Sequence, residues 1–201
     1  MLQYIFLFLL ATQLLVAQNY SLRLGYGVAS DKDLGEIIIG DFSPHPQHLS
    51  VVSLDGGYLL TEDIFDLPID IYLKGGLSRF DELAASRDDL YEIALYIKAY
   101  YNVDFLENSV RFGFGEGGSY TTRTLFVERE EALKKDGKTS YYLNYIDLSV
   151  DFDLGKLVGY KPLEGAYMGW ALKHRSGIFG LINNVKKGGS NYNTIYIEKN
   201  F

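Results

Sequence analysis

Hydrophobic and polar residues alternate with a period of two along several stretches of the chain. Between Tyr142 and Phe152 the even-numbered positions are apolar apart from Asn144, while the odd-numbered positions include Asp147 and Asp151. Side chains of a β-strand point alternately to opposite faces, so such a segment has one apolar and one charged face. The pattern therefore predicts strands that separate an apolar environment from a polar one.

The same alternation predicts eight strands along the chain. They are expected at residues 20–28, 48–60, 67–77, 90–103, 108–118, 141–153, 165–174 and 193–201. Residues 29–47 leave two alternatives open, because Glu36 to Ile39 can lengthen the first hairpin or form another strand. An even number of antiparallel strands closes into a barrel without free edges. We expect an all-β fold, a transmembrane antiparallel up-and-down β-barrel of about eight strands, apolar outside and filled by side chains inside.

Length and composition agree with an exported barrel. The 201 residues suit one domain. Residues 1–17 are apolar, uncharged and end in small residues, which predicts a signal peptide followed by a barrel domain over residues 18–201. Cysteine is absent and the net charge is −7, so we expect no disulfide framework and no nucleic-acid partner. The predicted location is the bacterial outer membrane, with the longer connections outside the cell.

One pair of residues near the last external loop could carry chemistry. By parity, His174 lies on the lipid-facing side of strand 165–174, and Ser176 follows on the same face if the strand continues. Residues two apart on a strand lie roughly 6–7 Å apart. An imidazole at this distance can take the proton of a hydroxyl and make it a nucleophile.

The His174-Arg175-Ser176 segment, on the penultimate strand of a small barrel, resembles the PagL-type lipid A 3-O-deacylases of the acyloxyacyl-hydrolase group. The resemblance implies a base and a nucleophile on the outside of the barrel, at the end next to the outer leaflet, with no metal and no cofactor. It also implies a glutamate about a dozen residues after the serine, where this chain has Gly188.

Several residues are candidates for the remaining roles in such a site. Asn191, Ser190 or Glu116 could orient the histidine in place of the missing glutamate. Where the family has an oxyanion-hole asparagine directly after the serine, this chain has Gly177, whose N–H could serve, with Asn184 as a further donor. Contacts to lipid A phosphates are expected from four cations, namely Lys173, Arg175, Lys186 and Lys187.

The sequence supports competing functions. The first is an outer-membrane serine esterase that removes an ester-linked acyl chain from lipid A of lipopolysaccharide in the outer leaflet. The second is a non-catalytic barrel for adhesion or envelope integrity, in which His174 and Ser176 are incidental. The third is a periplasmic lipid- or ligand-binding barrel whose apolar faces line a cavity. A homodimer is left open, and the scattered histidines His45, His48 and His174 do not suggest a metal site.

Overall fold

The computed structural model describes residues 19–135 and 137–201, and the expected signal peptide lies outside them. Eight strands follow one another around a closed antiparallel barrel, in which the first strand pairs with both the second and the last. The strands are β1 (Tyr20–Ser30), β2 (Ser50–Thr61), β3 (Ile69–Asp81), β4 (Leu90–Phe105), β5 (Asn108–Thr121), β6 (Tyr142–Asp153), β7 (Ala166–Ser176) and β8 (Ser190–Asn200). The predicted fold class is confirmed.

Short α-helices lie in the connections between strands. They are α1 (Leu34–Ile38), α2 (Phe126–Lys134) and α3 (Leu154–Val158). Residues 29–47, which the sequence left open, contain α1, and its first turn is held by a hydrogen bond from the Asp33 N–H to Glu36. Within residues 19–135 and 137–201, no helix is long and apolar enough to cross a membrane.

Charged residues fill the barrel interior and pair with each other. Asp147 is 1% exposed and contacts both Arg23 and Lys98. Two further buried pairs are Lys74 with Glu198 at 2.6 Å and Arg111 with Asp151 at 2.8 Å. A buried charge is tolerated only when a partner and hydrogen bonds offset its loss of hydration. The polar positions of the alternation therefore form a neutralised interior and leave the apolar positions outside.

The outward face is apolar over most of its circumference. Leu24, Leu95 and Ile195 are each more than half exposed although they lie in the middle of their strands. A continuous apolar surface of this kind is typical of contact with another apolar phase. The inside-out distribution predicted from the sequence is thus present in the fold.

The longer connections gather at one end of the barrel, which we call the loop end. They comprise residues 31–49, 82–89, 122–141 and 177–189, and the chain enters β1 and leaves β8 at the opposite end. At the loop end the interior is closed by a buried apolar cluster that includes Leu49, Phe80, Leu125 and Tyr192. Several strands extend further towards this end than predicted: β7 continues to Ser176, and β8 begins at Ser190 rather than at residue 193.

Candidate functional site

His174 and Ser176 lie on the outward face of β7, near its end at the loop side of the barrel. In the strand register His174 is opposite Asn191 of β8 on one side and Ile146 of β6 on the other. Because β7 continues through Ser176, the two side chains share a face, as the sequence required for them to interact. His174 is paired with a neighbouring strand on both sides and Ser176 with β6 alone, so the relative position of base and hydroxyl is set by the sheet and not by a loop.

Asn191 is hydrogen bonded to the imidazole of His174. Its Oδ1 lies 2.7 Å from Nδ1 of His174, and its Nδ2 donates to the backbone carbonyl of Lys32 at 2.7 Å. Because the amide nitrogen is engaged by that carbonyl, the amide oxygen must accept from Nδ1–H of the histidine. The imidazole is therefore held in the tautomer that leaves the lone pair on Nε2, the form required of a general base.

Parts of the first connection fold down over this sector of the outward face. The ring of Phe42 packs edge-on against Trp170, with the centroids 5.4 Å apart. Leu172 is fully buried and His174 is 9% exposed, although both lie on the outward side of β7. The histidine is thus largely shielded from solvent. The carbonyl of Lys32, which accepts from Asn191, belongs to the same covering segment.

A cleft of about 490 Å³ opens beside the pair. It is lined by residues of the first connection, of α2 and of 177–190, together with His174, Ser176 and Asn191. The first connection and α2 are joined by a 2.8 Å hydrogen bond between His45 and Glu130. That bond holds the pKa of the Glu130 carboxyl below its usual range, which favours the ionised form at the cleft rim.

Glycines let the last connection pass close to the site. A Cβ on Gly177 would lie 2.0 Å from the carbonyl oxygen of Val185, and a Cβ on Gly189 would lie 2.7 Å from that of Arg175. Neither contact is sterically tolerable, so both positions require glycine. Gly177, proposed from the sequence as an oxyanion-hole donor, lines the cleft directly after Ser176.

Two of the cations expected to contact phosphate point into the barrel. Lys173 Nζ lies 3.0 Å from Glu92, and Arg175 Nη1 lies 3.0 Å from Glu128 of α2. Both cations are at most 4% exposed. Their parity on β7 is opposite to that of His174, so a lipid headgroup on the outer surface cannot reach them. Lys173 and Arg175 are therefore interior residues, and the prediction that they contact lipid A phosphates is corrected.

The buried Glu128 carboxylate also receives the hydroxyl of Ser190. Ser190 Oγ donates to it at 3.1 Å, so this serine faces inward and does not contact His174. Burial raises the pKa of Glu128 to about 7, against the opposing effect of Arg175. The link between α2 and the end of the barrel is therefore sensitive to protonation near neutrality.

The four remaining candidate residues are all exposed, and two of them line the cleft. Lys186 and Lys187 are exposed and line the cleft. Asn184 is exposed and outside it, while Glu116 is exposed on β5, two strands from His174, with Ile146 between them. Two strand spacings amount to about 10 Å, so Glu116 does not orient the imidazole in this arrangement.

Sequence reasoning missed three residues that support the site or lie next to it. Lys32 supplies the carbonyl that fixes Asn191, and Glu128 anchors α2; both contacts join residues far apart in the chain and leave no periodic signal. Asn144, which faces Ser176 from β6, had a visible signal, because it is the polar exception on an otherwise apolar face. Among the described residues, no cluster of three or more His, Asp or Glu could hold a metal ion.

The barrel and its outward polar site define a class of protein, the small outer-membrane-type β-barrel. No family model matches the sequence, and no curated protein is significantly similar to it. Among solved structures, the fold is similar to the outer membrane enzyme PagL, with a TM-score of 0.61 at 10% identity over 90% of this chain and 99% of that one. It is also similar to Neisserial surface protein A, with a TM-score of 0.50 at 10% identity over 92% and 98% of the two chains. At these identities the similarity concerns the fold alone.

Proposed function

We propose that this protein is an outer-membrane serine esterase that removes an ester-linked acyl chain from lipid A of lipopolysaccharide. The observation that carries the proposal is the shared outward face of His174, Ser176 and Asn191 at the loop end of an apolar-surfaced barrel. A nucleophile in that position lies in the loop-end cleft, on the same outward face as the apolar surface of the barrel. An acyl chain anchored in the leaflet can therefore reach it without leaving the membrane.

The chemistry follows from the tautomer of the histidine. Nε2 of His174 accepts the proton of the Ser176 hydroxyl while Oγ attacks the ester carbonyl carbon. The carbon–oxygen bond to the sugar then breaks, and His174 returns the proton to the leaving sugar oxygen. A water molecule, deprotonated by the same Nε2, attacks the acyl-serine; the bond to Ser176 Oγ breaks, His174 returns the proton to Oγ, and the fatty acid leaves. Asn191 keeps the imidazole oriented throughout, although as a neutral amide it stabilises the imidazolium less than a carboxylate does.

The outer surface of the barrel supports both the proposed location and the proposed substrate. The apolar belt and the resemblance of His174-Arg175-Ser176 to lipid A deacylases both support integration into the bacterial outer membrane, with the loop end outside. Exposed Lys186 and Lys187 at the cleft could attract the phosphates of lipid A. The proposed reaction requires no cofactor.

The test is to express the full-length chain in a Gram-negative host and weigh the extracted lipid A by mass spectrometry. We expect the loss of one acyl chain with the wild type and none with Ser176→Ala. A matched control is Ser109→Ala, because Ser109 lies at the opposite end of the barrel. Each variant must give the heat-modifiable gel migration of a folded barrel. Unchanged lipid A with folded wild type would contradict the esterase.

A second candidate is a non-catalytic barrel that acts through its external loops. The observation in its favour is that the group hydrogen bonded to His174 is an amide and not a carboxylate. The likeness to Neisserial surface protein A, described as a surface protein, is compatible with it. In that case wild type and Ser176→Ala leave identical lipid A, and variants of residues 31–49 or 177–189 alter surface binding.

A further inference from the structure

Asn144 is an isolated amide on the apolar outward face of β6. Its side chain is 7% exposed, and its Nδ2 atom is shielded from solvent without a hydrogen-bond partner among the described residues. The neighbours on the same face, Tyr142 and Ile146, are apolar or aromatic. A buried donor without an acceptor typically costs about 1–3 kcal/mol. A residue that destabilises the fold in this way calls for a functional explanation.

The position of Asn144 relative to Ser176 suggests a role beside the nucleophile. The two residues are direct partners in the antiparallel β6–β7 register. Directly opposed side chains lie on the same face with Cβ atoms about 4.5–5.5 Å apart. Ser176 thus has His174 on its own strand and Asn144 on the adjacent strand. His174 and Ser176 line the cleft, and Asn144 lies next to it, opposite Ser176.

We propose that Asn144 is a catalytic oxyanion-hole residue, whose side-chain N–H binds the carbonyl oxygen of the scissile ester. This proposal rests on the esterase function argued above. When Ser176 Oγ bonds to the carbonyl carbon, the carbonyl π electrons move onto oxygen and the serine proton moves to Nε2 of His174. The resulting oxyanion accepts from Nδ2 of Asn144. The carbonyl re-forms as the sugar oxygen leaves with the proton from His174.

The electrostatics favour this assignment. A preorganised donor stabilises a developing oxyanion most effectively where water is excluded and no competing acceptor must be displaced. The Nδ2 atom of Asn144 is shielded from water and has no acceptor to give up among the described residues, so the oxyanion meets no competing partner once the acyl group is seated beside Ser176. The backbone N–H of Gly177, directly after Ser176 in the lining of the cleft, could supply a second donor, whereas Asn184 is exposed in the last connection and has no strand register that places it beside Ser176.

The test compares Asn144→Leu and Asn144→Asp with a matched asparagine, Asn193→Leu. Asn193 also lies on the outward face with an unpartnered amide, but it is opposite Leu172 and not opposite Ser176. The variants are assayed as full chains in detergent micelles, with lipid A and with a long-chain nitrophenyl ester. We expect both Asn144 variants to lower kcat about 10²–10³-fold with KM nearly unchanged, and Asn193→Leu to leave kcat within about threefold.

A stability measurement separates catalysis from a structural role. Leucine at position 144 removes the unpaired donor and extends the apolar face, so the thermal unfolding temperature should rise or stay the same while kcat falls. If Asn144→Leu retains kcat within twofold and Ser176→Ala is inactive, the oxyanion role is wrong and the esterase stands. If Asn144→Leu loses activity together with stability, the oxyanion role is also overturned. If the folded wild type is as inactive as Ser176→Ala, both proposals fail.

Discussion

Asn191 contacts His174 through a hydrogen bond of 2.7 Å across the β7–β8 pair, and it is itself fixed by the carbonyl of Lys32. The amide therefore couples the imidazole to the first connection of the chain. A neutral residue here can select the histidine tautomer. It contributes less than a carboxylate to the charge that develops on the ring during proton transfer.

Replacement of Asn191 by leucine should lower kcat and leave the barrel intact. Leucine has a similar volume but accepts no hydrogen bond, so the imidazole loses its preferred tautomer and orientation. We expect kcat to fall about 10–100-fold, less than for Ser176→Ala, because the base and the nucleophile both remain. The measurement is ester hydrolysis in micelles, and Asn200→Leu at the opposite end of β8 is the control. Full activity of Asn191→Leu would remove this residue from the mechanism.

The two exposed lysines at the cleft should matter only for a phosphorylated substrate. Exposed ion pairs contribute about 0.2–1 kcal/mol each, so Lys186→Ala combined with Lys187→Ala should raise KM for lipid A about two- to thirtyfold. KM for an uncharged nitrophenyl ester should not change. Lys161→Ala, at the opposite end of the barrel, is the control. An equal change in KM for both substrates would argue against phosphate recognition.

Parity along the strands was sufficient to predict the barrel and the outward direction of His174 and Ser176. The same parity pointed Lys173 and Arg175 inward, but their charge suggested a surface role; in the structure Glu92 and Glu128 neutralise them. Contacts such as Phe42 with Trp170 join residues far apart in the chain, and these depend on loop conformations that no repeating pattern encodes.

The ion pairs of the interior predict a large stability effect at one position. Asp147→Asn leaves the buried cations Arg23 and Lys98 without their shared carboxylate. Loss of one partner of a buried pair typically costs about 3–5 kcal/mol. The half-buried Asp70 is the control, because its contact is a 2.8 Å hydrogen bond from Asn102 and not a buried ion pair. Urea unfolding in micelles should show a clearly lower midpoint for Asp147→Asn and a small change for Asp70→Asn.

The buried carboxyl of Glu128 predicts that stability at the loop end decreases as the pH rises. Burial raises its pKa from the usual 4.5 to about 7, with Glu92 adding to the increase and Arg175 and Ser190 opposing it. Below pH 4.5 the group is protonated whether or not α2 is docked. Between 4.5 and 7 only the folded form retains the proton, so the free energy of unfolding falls as pH increases through this range, and it levels off above 7.

Hydrogen exchange of residues 126–134 at pH 5 and pH 8 can measure this effect. We expect α2 to be less protected against opening at pH 8, by on the order of 1–3 kcal/mol after correction for the intrinsic exchange rate. Glu128→Gln, which resembles the protonated acid, should remove most of the difference. Glu131→Gln on the same helix should retain it, since Glu131 is paired with Lys135 near the surface. A pH dependence that survives in Glu128→Gln would assign the effect to another group, whereas its loss would identify Glu128 as the residue that couples α2 docking to pH.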